Sequence, residues 1–447
     1  MDMLKRCVNS FIFFAVAFSP FFSFITSNST FAKQIPAKEV RVPEEIPGYI
    51  VPYKEPSLAD RFIFIGNVSA YFSLSDMQGA GTIGGGGFSA ILAPGYRITD
   101  QDTVTLLYDG SYYRRRDFYS DEVGPRQRLE NQRHTLTAMY RHDFGSENRY
   151  SISPSIFYTE SWNKDVEGGG WSDGLYNYRD KGAGIDFGIK GLGFGSKDKS
   201  TLMKIGIQVY DREYPNYTSL LDLATGLGIE KDERDYLGIL FRARFTCNDT
   251  KNVSWSIDYY LLAKRLEDKR VVDSNGYLSS KKQRDYLHNL TLHFSFRPWN
   301  TGGFRLNLDL MGSVYDSNQN YYDGMGTLDL SDDEFIKDFY DYRSFRIEPG
   351  LSYTLPSIPI TLSLSYAYQR LNYREREAQK FDGSYKSDKQ YEIQNELNIG
   401  LHYYMLKKIS IYARYQYISV HSNNDYTRVY EYDHTVNNYY AGISYSF

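Results

Sequence analysis

From Phe62 to the C-terminus, apolar residues recur at every second position. Ile358, Ile360, Leu362, Leu364, Tyr366 and Tyr368 alternate with Pro359, Thr361, Ser363, Ser365, Ala367 and Gln369. Phe304, Leu306, Leu308, Leu310 and Val314 alternate with Arg305, Asn307 and Asp309, and Phe345, Ile347, Leu351 and Tyr353 with Arg346, Glu348, Ser352 and Thr354. A helix would need a 3.6-residue repeat, whereas a repeat of two is that of a strand with one apolar face. Sixteen such segments are expected, at about residues 62–73, 87–98, 103–115, 131–144, 150–162, 180–194, 201–214, 232–246, 253–266, 284–297, 304–316, 342–355, 358–371, 390–405, 409–420 and 436–447. Alternation alone does not say whether the apolar face meets a soluble core or lipid.

The connections decide between the two. Short gaps at 99–102, 145–149, 195–200, 247–252, 298–303, 356–357 and 406–408 carry turn chemistry, as in Gly145-Ser146-Glu147-Asn148. They interleave with longer gaps at about 74–86, 116–130, 163–179, 215–231, 267–283, 317–341, 372–389 and 421–435. This two-beat rhythm is that of a transmembrane barrel with short turns at one rim and long loops at the other. In such a barrel apolar residues face lipid and polar ones the lumen. The segments exceed the roughly 9–11 residues needed to cross lipid at a tilt, so they should project beyond the bilayer. Pro94, Pro154 and Pro349 fall inside expected strands, where each removes a ladder donor, so a bulge or rim position is expected there.

Both ends of the chain fit export. Lys5 and Arg6 precede an apolar stretch from Phe11 to Phe24, and Thr30-Phe31-Ala32 offers small residues to a signal peptidase, so residues 1–32 read as a cleaved signal peptide. Residues 33–61 carry Pro36, Pro43, Pro47, Pro52 and Pro56 and read as an extended periplasmic leader or a small plug. The barrel is expected over 62–447. The last strand places Tyr439, Ala441, Ile443, Tyr445 and the terminal Phe447 on one face. It resembles the C-terminal assembly signal of Gram-negative outer-membrane β-barrel proteins of the porin-like kind. That resemblance implies an all-β, up-and-down antiparallel barrel in the outer membrane, assembled by the barrel-assembly machinery and surrounded by outer-membrane lipid and lipopolysaccharide. It names no solute. Sixteen-stranded porins are commonly trimers, so a homo-oligomer is compatible with the resemblance, but nothing in the sequence marks an interface.

Composition narrows the function without naming it. Aromatic residues make up 17%, with 43 Tyr against 4 Trp, which suits rings placed at a membrane interface. Tyr112, Tyr140, Tyr158, Tyr353, Tyr366, Tyr403 and Tyr439 fall on the expected lipid face. A net charge of −4 with no basic run gives no reason to expect nucleic acid. Past the first 30 or so residues no 18-residue apolar run exists, which excludes a helical membrane bundle. After signal removal only Cys247 is left, so no disulfide forms within one chain. Gly79-Ala80-Gly81-Thr82-Ile83-Gly84 matches a dinucleotide fingerprint by letters, but Gly85, Gly86 and Gly87 follow instead of a helix, so a flexible loop is expected. Asp329 to Glu334 reads as a solvated acidic loop rather than a calcium site. His288 and His293 fall on opposite faces of one strand and are no ligand pair. No cofactor, metal or enzymatic activity is expected.

Reading the alternation inward gives the lumen set. Its cations are Arg97, Arg115, Arg141, Lys190, Lys204, Arg212, Arg242, Arg244, Lys264, Arg297, Arg305, Arg346 and Arg414. Its anions are fewer: Asp109, Asp186, Asp258, Asp309, Glu348, Glu392 and Glu396. Fixed charges along a pore set its selectivity, so an arginine excess favours anions. Arg242 and Arg244 on one inward face are the candidate cationic constriction, while Arg305, Asp309, Arg346 and Glu348 are placed to form one self-neutralising cluster. Inward Tyr71, Tyr113, Tyr210, Tyr260, Tyr404, Tyr412 and Tyr440 offer stacking faces for sugars or simply fill space. The expected function is a porin-like channel for small hydrophilic solutes, anionic or saccharide. The alternatives are the barrel of a polysaccharide or protein exporter, or a structural or adhesive surface barrel.

Overall fold

The computed structural model describes residues 61–78, 81–117, 128–164, 170–192, 200–217, 232–248, 252–298, 303–323, 334–426 and 432–447. The signal peptide and nearly all of the proline-rich segment lie outside these residues, as does the acidic run 329–333. Eighteen strands follow one another: β1 Phe62–Met77, β2 Gly81–Arg97, β3 Asp102–Asp117, β4 Arg128–Phe144, β5 Tyr150–Lys164, β6 Tyr178–Lys190, β7 Ser200–Glu213, β8 Tyr236–Asn248, β9 Val253–Val272, β10 Leu278–Phe296, β11 Phe304–Ser317, β12 Tyr321–Asp323, β13 Glu334–Ile336, β14 Tyr342–Thr354, β15 Ile360–Gln379, β16 Tyr385–Tyr404, β17 Ile409–Ser422 and β18 His434–Ser446. Sixteen of them close into an antiparallel barrel with β1 against β18, and β12 and β13 form a separate two-stranded sheet between β11 and β14. Closure leaves no unpaired edge to face lipid.

Register assigns every strand residue to a face. Tyr71 pairs with Gly442 and Gly87, Arg414 with Tyr440, Arg242 with Tyr260, and Arg346 with Met311 and Gln369, so each row keeps one polar face all round. The opposite face carries Phe72, Phe88, Leu106, Leu136, Ile185, Ile207, Ile239, Leu292, Leu306, Phe345, Leu364, Ile399, Ile411 and Ile443, all exposed. A closed barrel with this much bare apolar surface outside and charge inside is a transmembrane barrel.

Three of the long gaps are strand rather than loop. β1 runs to Met77 and β2 starts at Gly81, so the glycine-rich run pairs on both sides instead of forming a flexible loop. β9 and β10 join across 273–277, and β15 and β16 across 380–384. Both turns carry a glycine at positive φ, Gly276 (78°) and Gly383 (94°), beside an aspartate that accepts backbone N–H bonds. The apolar rhythm stops in these tall hairpins because both faces meet water above the bilayer, although pairing continues. Their pairing slips in register at Leu278–Arg284 and Asn372–Gln379.

The prolines answer a second expectation: they make no bulge, and all three lie near the short-turn ends of β2, β5 and β14. Each of the three faces outward. Pairs on either side of Pro94, Pro154 and Pro349 keep the same register, and one ladder skips a pair or two at each. The lost donor is met by leaving one bond unmade at a position where the barrel is otherwise continuous.

Candidate functional site: the inner wall

All the expected inward charges on strands do face the lumen. Arg297 lies one residue beyond β10, where its N–H donates to the Asn252 carbonyl at 2.7 Å. The structure does not bring the charges together in the groups expected.

Arg346 on β14 spans two carboxylates. Its guanidinium donates to Glu348 Oε2 at 2.7 Å and reaches past β15 to Glu396 Oε2 at 3.1 Å. Glu396 Oε1 also accepts from Asn398 (2.8 Å) and Gln416 (2.7 Å), and Glu348 Oε1 from Ser365 (3.0 Å). Asn438 donates to Gln416 (3.1 Å) and accepts from Ser75 (2.6 Å), so one polar network crosses the barrel seam from β14 to β1. Every carboxylate there is hydrogen-bonded, and the two carboxylates share Arg346 as the one cation of this network.

Arg305 and Asp309 stay outside that network. Asp309 instead accepts from His293 Nδ1 at 2.7 Å. The other ring nitrogen of His293 lies 3.5 Å from Asp258, which also binds Arg244. A ladder Arg244–Asp258–His293–Asp309 therefore runs across β8 to β11. It divides the expected Arg242/Arg244 pair: Arg244 is neutralised, while Arg242 makes no ion pair among the described residues. Lys204 stands within electrostatic reach of Arg242, Arg244, Asp186 and, three strands away, Arg141. Arg141 is itself held by Asp143 at 2.8 Å. Lys190, Lys204 and Arg242 thus form the open cationic arc, near the short-turn rim of β6 to β8.

Arg212 is confined differently. It makes a bidentate pair with Asp180 (2.6 and 2.7 Å) and lies 4.0 Å over the Tyr178 ring, with Tyr236 and Tyr210 around it. Lys264 also lies 5.1 Å from the centre of the Tyr236 ring. Such a caged cation holds the wall rather than a solute. Arg133 and Asp109 pair weakly at 3.5 Å. Lumen-facing Tyr71 and Tyr113 stack at 6.5 Å and 18°, and Arg414 lies 4.5 Å over Tyr440 beside them. Tyr404 stacks on His402 at 4.3 Å.

Large rings fit because glycines sit beside them in the same row. Tyr210 pairs with Gly182 and Gly238, and Tyr71 with Gly87 and Gly442. A Cβ on Gly238 would come within 2.5 Å of the Tyr210 ring, and one on Gly87 within 2.7 Å of Tyr71. These tyrosines lie against the wall over the glycines of the neighbouring strands.

At the long-loop mouth, residues 339–340 just before β14 pack against groups of the inner wall. Phe339 stacks on Tyr321 at 4.5 Å and lies 4.7 Å from Arg376, whose guanidinium also donates to the Tyr432 hydroxyl at 2.9 Å. Tyr340 lies within electrostatic reach of Arg376 and of lumen-facing Asp285. Below them Tyr315 and Tyr342 stack at 5.2 Å. This aromatic cap was not expected from the sequence; nor were His293, Asp143 and Asp180. The last three share parity with inward neighbours on their strands, the one signal that marks them.

At the seam Tyr439, Ala441, Ile443 and Tyr445 face outward as expected. Phe447 lies past β18, with its N–H on the Gly66 carbonyl (2.9 Å) and its ring edge-on to Phe64 (5.3 Å) and Tyr445 (4.9 Å). A Cβ on Gly66 would meet that ring, so the glycine makes room for the terminal aromatic.

The class is therefore a sixteen-stranded transmembrane β-barrel with a charged lumen. No family model matches the chain, and no curated protein matches it in sequence. Among solved structures it is similar to OmpT, an outer membrane protein of Vibrio cholerae (TM-score 0.42, 11% identity, 86% of this chain and 99% of the other). It is similar as well to OpdQ of Pseudomonas aeruginosa (0.42, 11%, 86% and 98%) and to a bacterial polysaccharide outer membrane secretin (0.42, 10%, 86% and 98%).

Proposed function

We propose that the chain is an outer-membrane channel that passes small hydrophilic solutes passively, with a preference for anions. The observation that carries this reading is the unequal neutralisation of the inner wall. The β14–β1 arc is closed by Arg346, Glu348, Glu396 and their amides, whereas Lys190, Lys204 and Arg242 face the lumen without an ion pair among the described residues. A barrel of 16 strands is wide enough for an aqueous channel, and fixed unpaired cations raise the local concentration of anions. The flat Tyr71, Tyr113, Tyr412 and Tyr440 group supports saccharides among the solutes. In this reading the barrel catalyses no reaction, and the Arg244–Asp258–His293–Asp309 ladder is part of the wall. The outward face of β18, ending at Phe447, is the strand offered to the barrel-assembly machinery.

Swelling of proteoliposomes in sugars of rising size tests the channel. Graded swelling that falls with solute size is expected. A folded, heat-modifiable barrel that admits not even a pentose contradicts it.

A further inference from the structure

The outward face has its own charge pattern above the lipid belt. On β10 the outward residues are Phe296, Phe294, Leu292, Leu290, His288 and Tyr286, followed by Arg284. The ten-residue step from Phe296 to Tyr286, at about 3.3 Å per residue and a tilt of about 40°, rises roughly 25 Å, the height of the apolar band. Arg284 therefore stands at headgroup level on the long-loop side. Neighbouring strands also carry an outward arginine towards their long-loop ends. On β9 the outward run ends at Arg265, on β14 Phe345 is followed by Arg343, and on β15 Tyr368 is followed by Arg370.

Arg284 and Arg265 are direct cross-strand partners on this exposed face. Two like charges opposite each other destabilise a sheet unless an anion lies between them. The carboxylates that face the same surface are Asp316 and Glu267. Asp316 is engaged by Arg374 at 3.2 Å, and Glu267 forms no ion pair with Arg265. Among the described residues Arg265, Arg284, Arg343 and Arg370 have no ion-pair partner. The outer wall of β5, β6 and β7 shows what a self-sufficient surface looks like. There Arg179 pairs with Glu160 at 3.1 Å and Lys181 with Glu213 at 2.9 Å, on the same outward face.

We propose that the upper outer wall of β9, β10, β14 and β15 binds the phosphates of lipopolysaccharide, with Arg265 and Arg284 as the anchoring pair. Guanidinium forks suit phosphate, and the apolar rows beneath them suit its acyl chains. The site rests on the outer-membrane reading above but not on conduction. Acyl chains and phosphate engage the wall together, so a free anion lacks half of the contact.

The test uses the full-length barrel refolded in detergent and titrated with bisphosphorylated lipid A, with dephosphorylated lipid A and inorganic phosphate as separate probes. R265Q/R284Q is expected to weaken lipid A binding by about tenfold or more, the scale of two lost charge-assisted contacts. R179Q/K181Q is expected to stay within about twofold, and dephosphorylated lipid A to bind wild type and R265Q/R284Q equally weakly. Equal binding of lipid A by wild type and R265Q/R284Q overturns the proposal. So does inorganic phosphate binding as tightly as lipid A, which would make this a free-anion site. If R265Q/R284Q does not fold, R284Q alone carries the same comparison. Conductance of R265Q/R284Q should be unchanged, so a barrel that binds lipid A but conducts nothing sinks the channel reading and leaves this one standing.

Discussion

Single residues on the inner wall act through their row neighbours. Gly182 and Gly238 flank Tyr210: added bulk at Gly238 runs into the Tyr210 ring, and at Gly182 into the Phe157 ring and Tyr210 Cβ. Gly238→Val is expected to lower stability by about 1–3 kcal/mol, the scale of overpacking a filled site. Gly312→Ala, on the outward face of β11 with nothing within 4 Å of its Cβ position, should lie within about 0.5 kcal/mol of wild type. Urea midpoints of the heat-modifiable form measure both, and equal shifts would remove the glycine–tyrosine account. The facing of these residues was legible in the sequence, because parity along a strand fixes the side. The pairings were not. Whether Asp309 joins Arg346 or His293 depends on which of two neighbouring strands presents a donor at the right height, and no single strand encodes that.

The tall hairpins and their junctions are the elements where sequence reading and structure part. Apolar alternation reports lipid contact, so it ended where β9, β10, β15 and β16 leave the bilayer, although their hydrogen bonding went on. The junction before β8 is sensitive to pH. Burial, with Asp232, Glu267 and Asp211 nearby, pushes the Asp235 carboxyl up to about 6 although the Tyr214 N–H opposes the shift. A carboxyl that binds its proton more tightly when folded stabilises the fold fully below its unfolded pKa of about 3.9 and loses that contribution as pH rises through 6. Hydrogen exchange at Tyr214 and Asp235 should therefore slow, once corrected for intrinsic rates, from pH 7 to pH 4.5, and Asp235→Asn should abolish the change. A wild-type profile as flat as that of Asp235→Asn would refute it. Residues 339–340, just before β14, carry a second prediction at this scale. Phe339 and Tyr340 stand at the mouth against Arg376 and Asp285, so Phe339→Ala with Tyr340→Ala should raise single-channel conductance by about half or more, and an unchanged conductance would place them off the permeation path.

For the molecule as a whole, the sixteen-strand barrel was readable because three independent features agree: alternation of two, gaps of alternating length and an aromatic C-terminus. The lumen was readable only as a list of charges. Its pattern, with a carboxylate network held by Arg346 from β14 to β1 and an open cationic arc on β6 to β8, appears only after closure brings distant strands together. Lys204 and Arg141 lie 63 positions apart in the chain yet stand within electrostatic reach of each other on the inner wall. The central claim is that the open arc sets the selectivity. The reversal potential of the refolded barrel in a planar bilayer under a KCl gradient tests it most directly. Wild type should show a stable conductance with anion preference, and Lys204→Gln with Arg242→Gln should bring the potential close to zero, whereas Arg244→Gln with Asp258→Asn, which removes a paired cation and anion together, should shift it less. Cation preference in the wild type, or a potential that does not respond to Lys204→Gln with Arg242→Gln, would contradict the account.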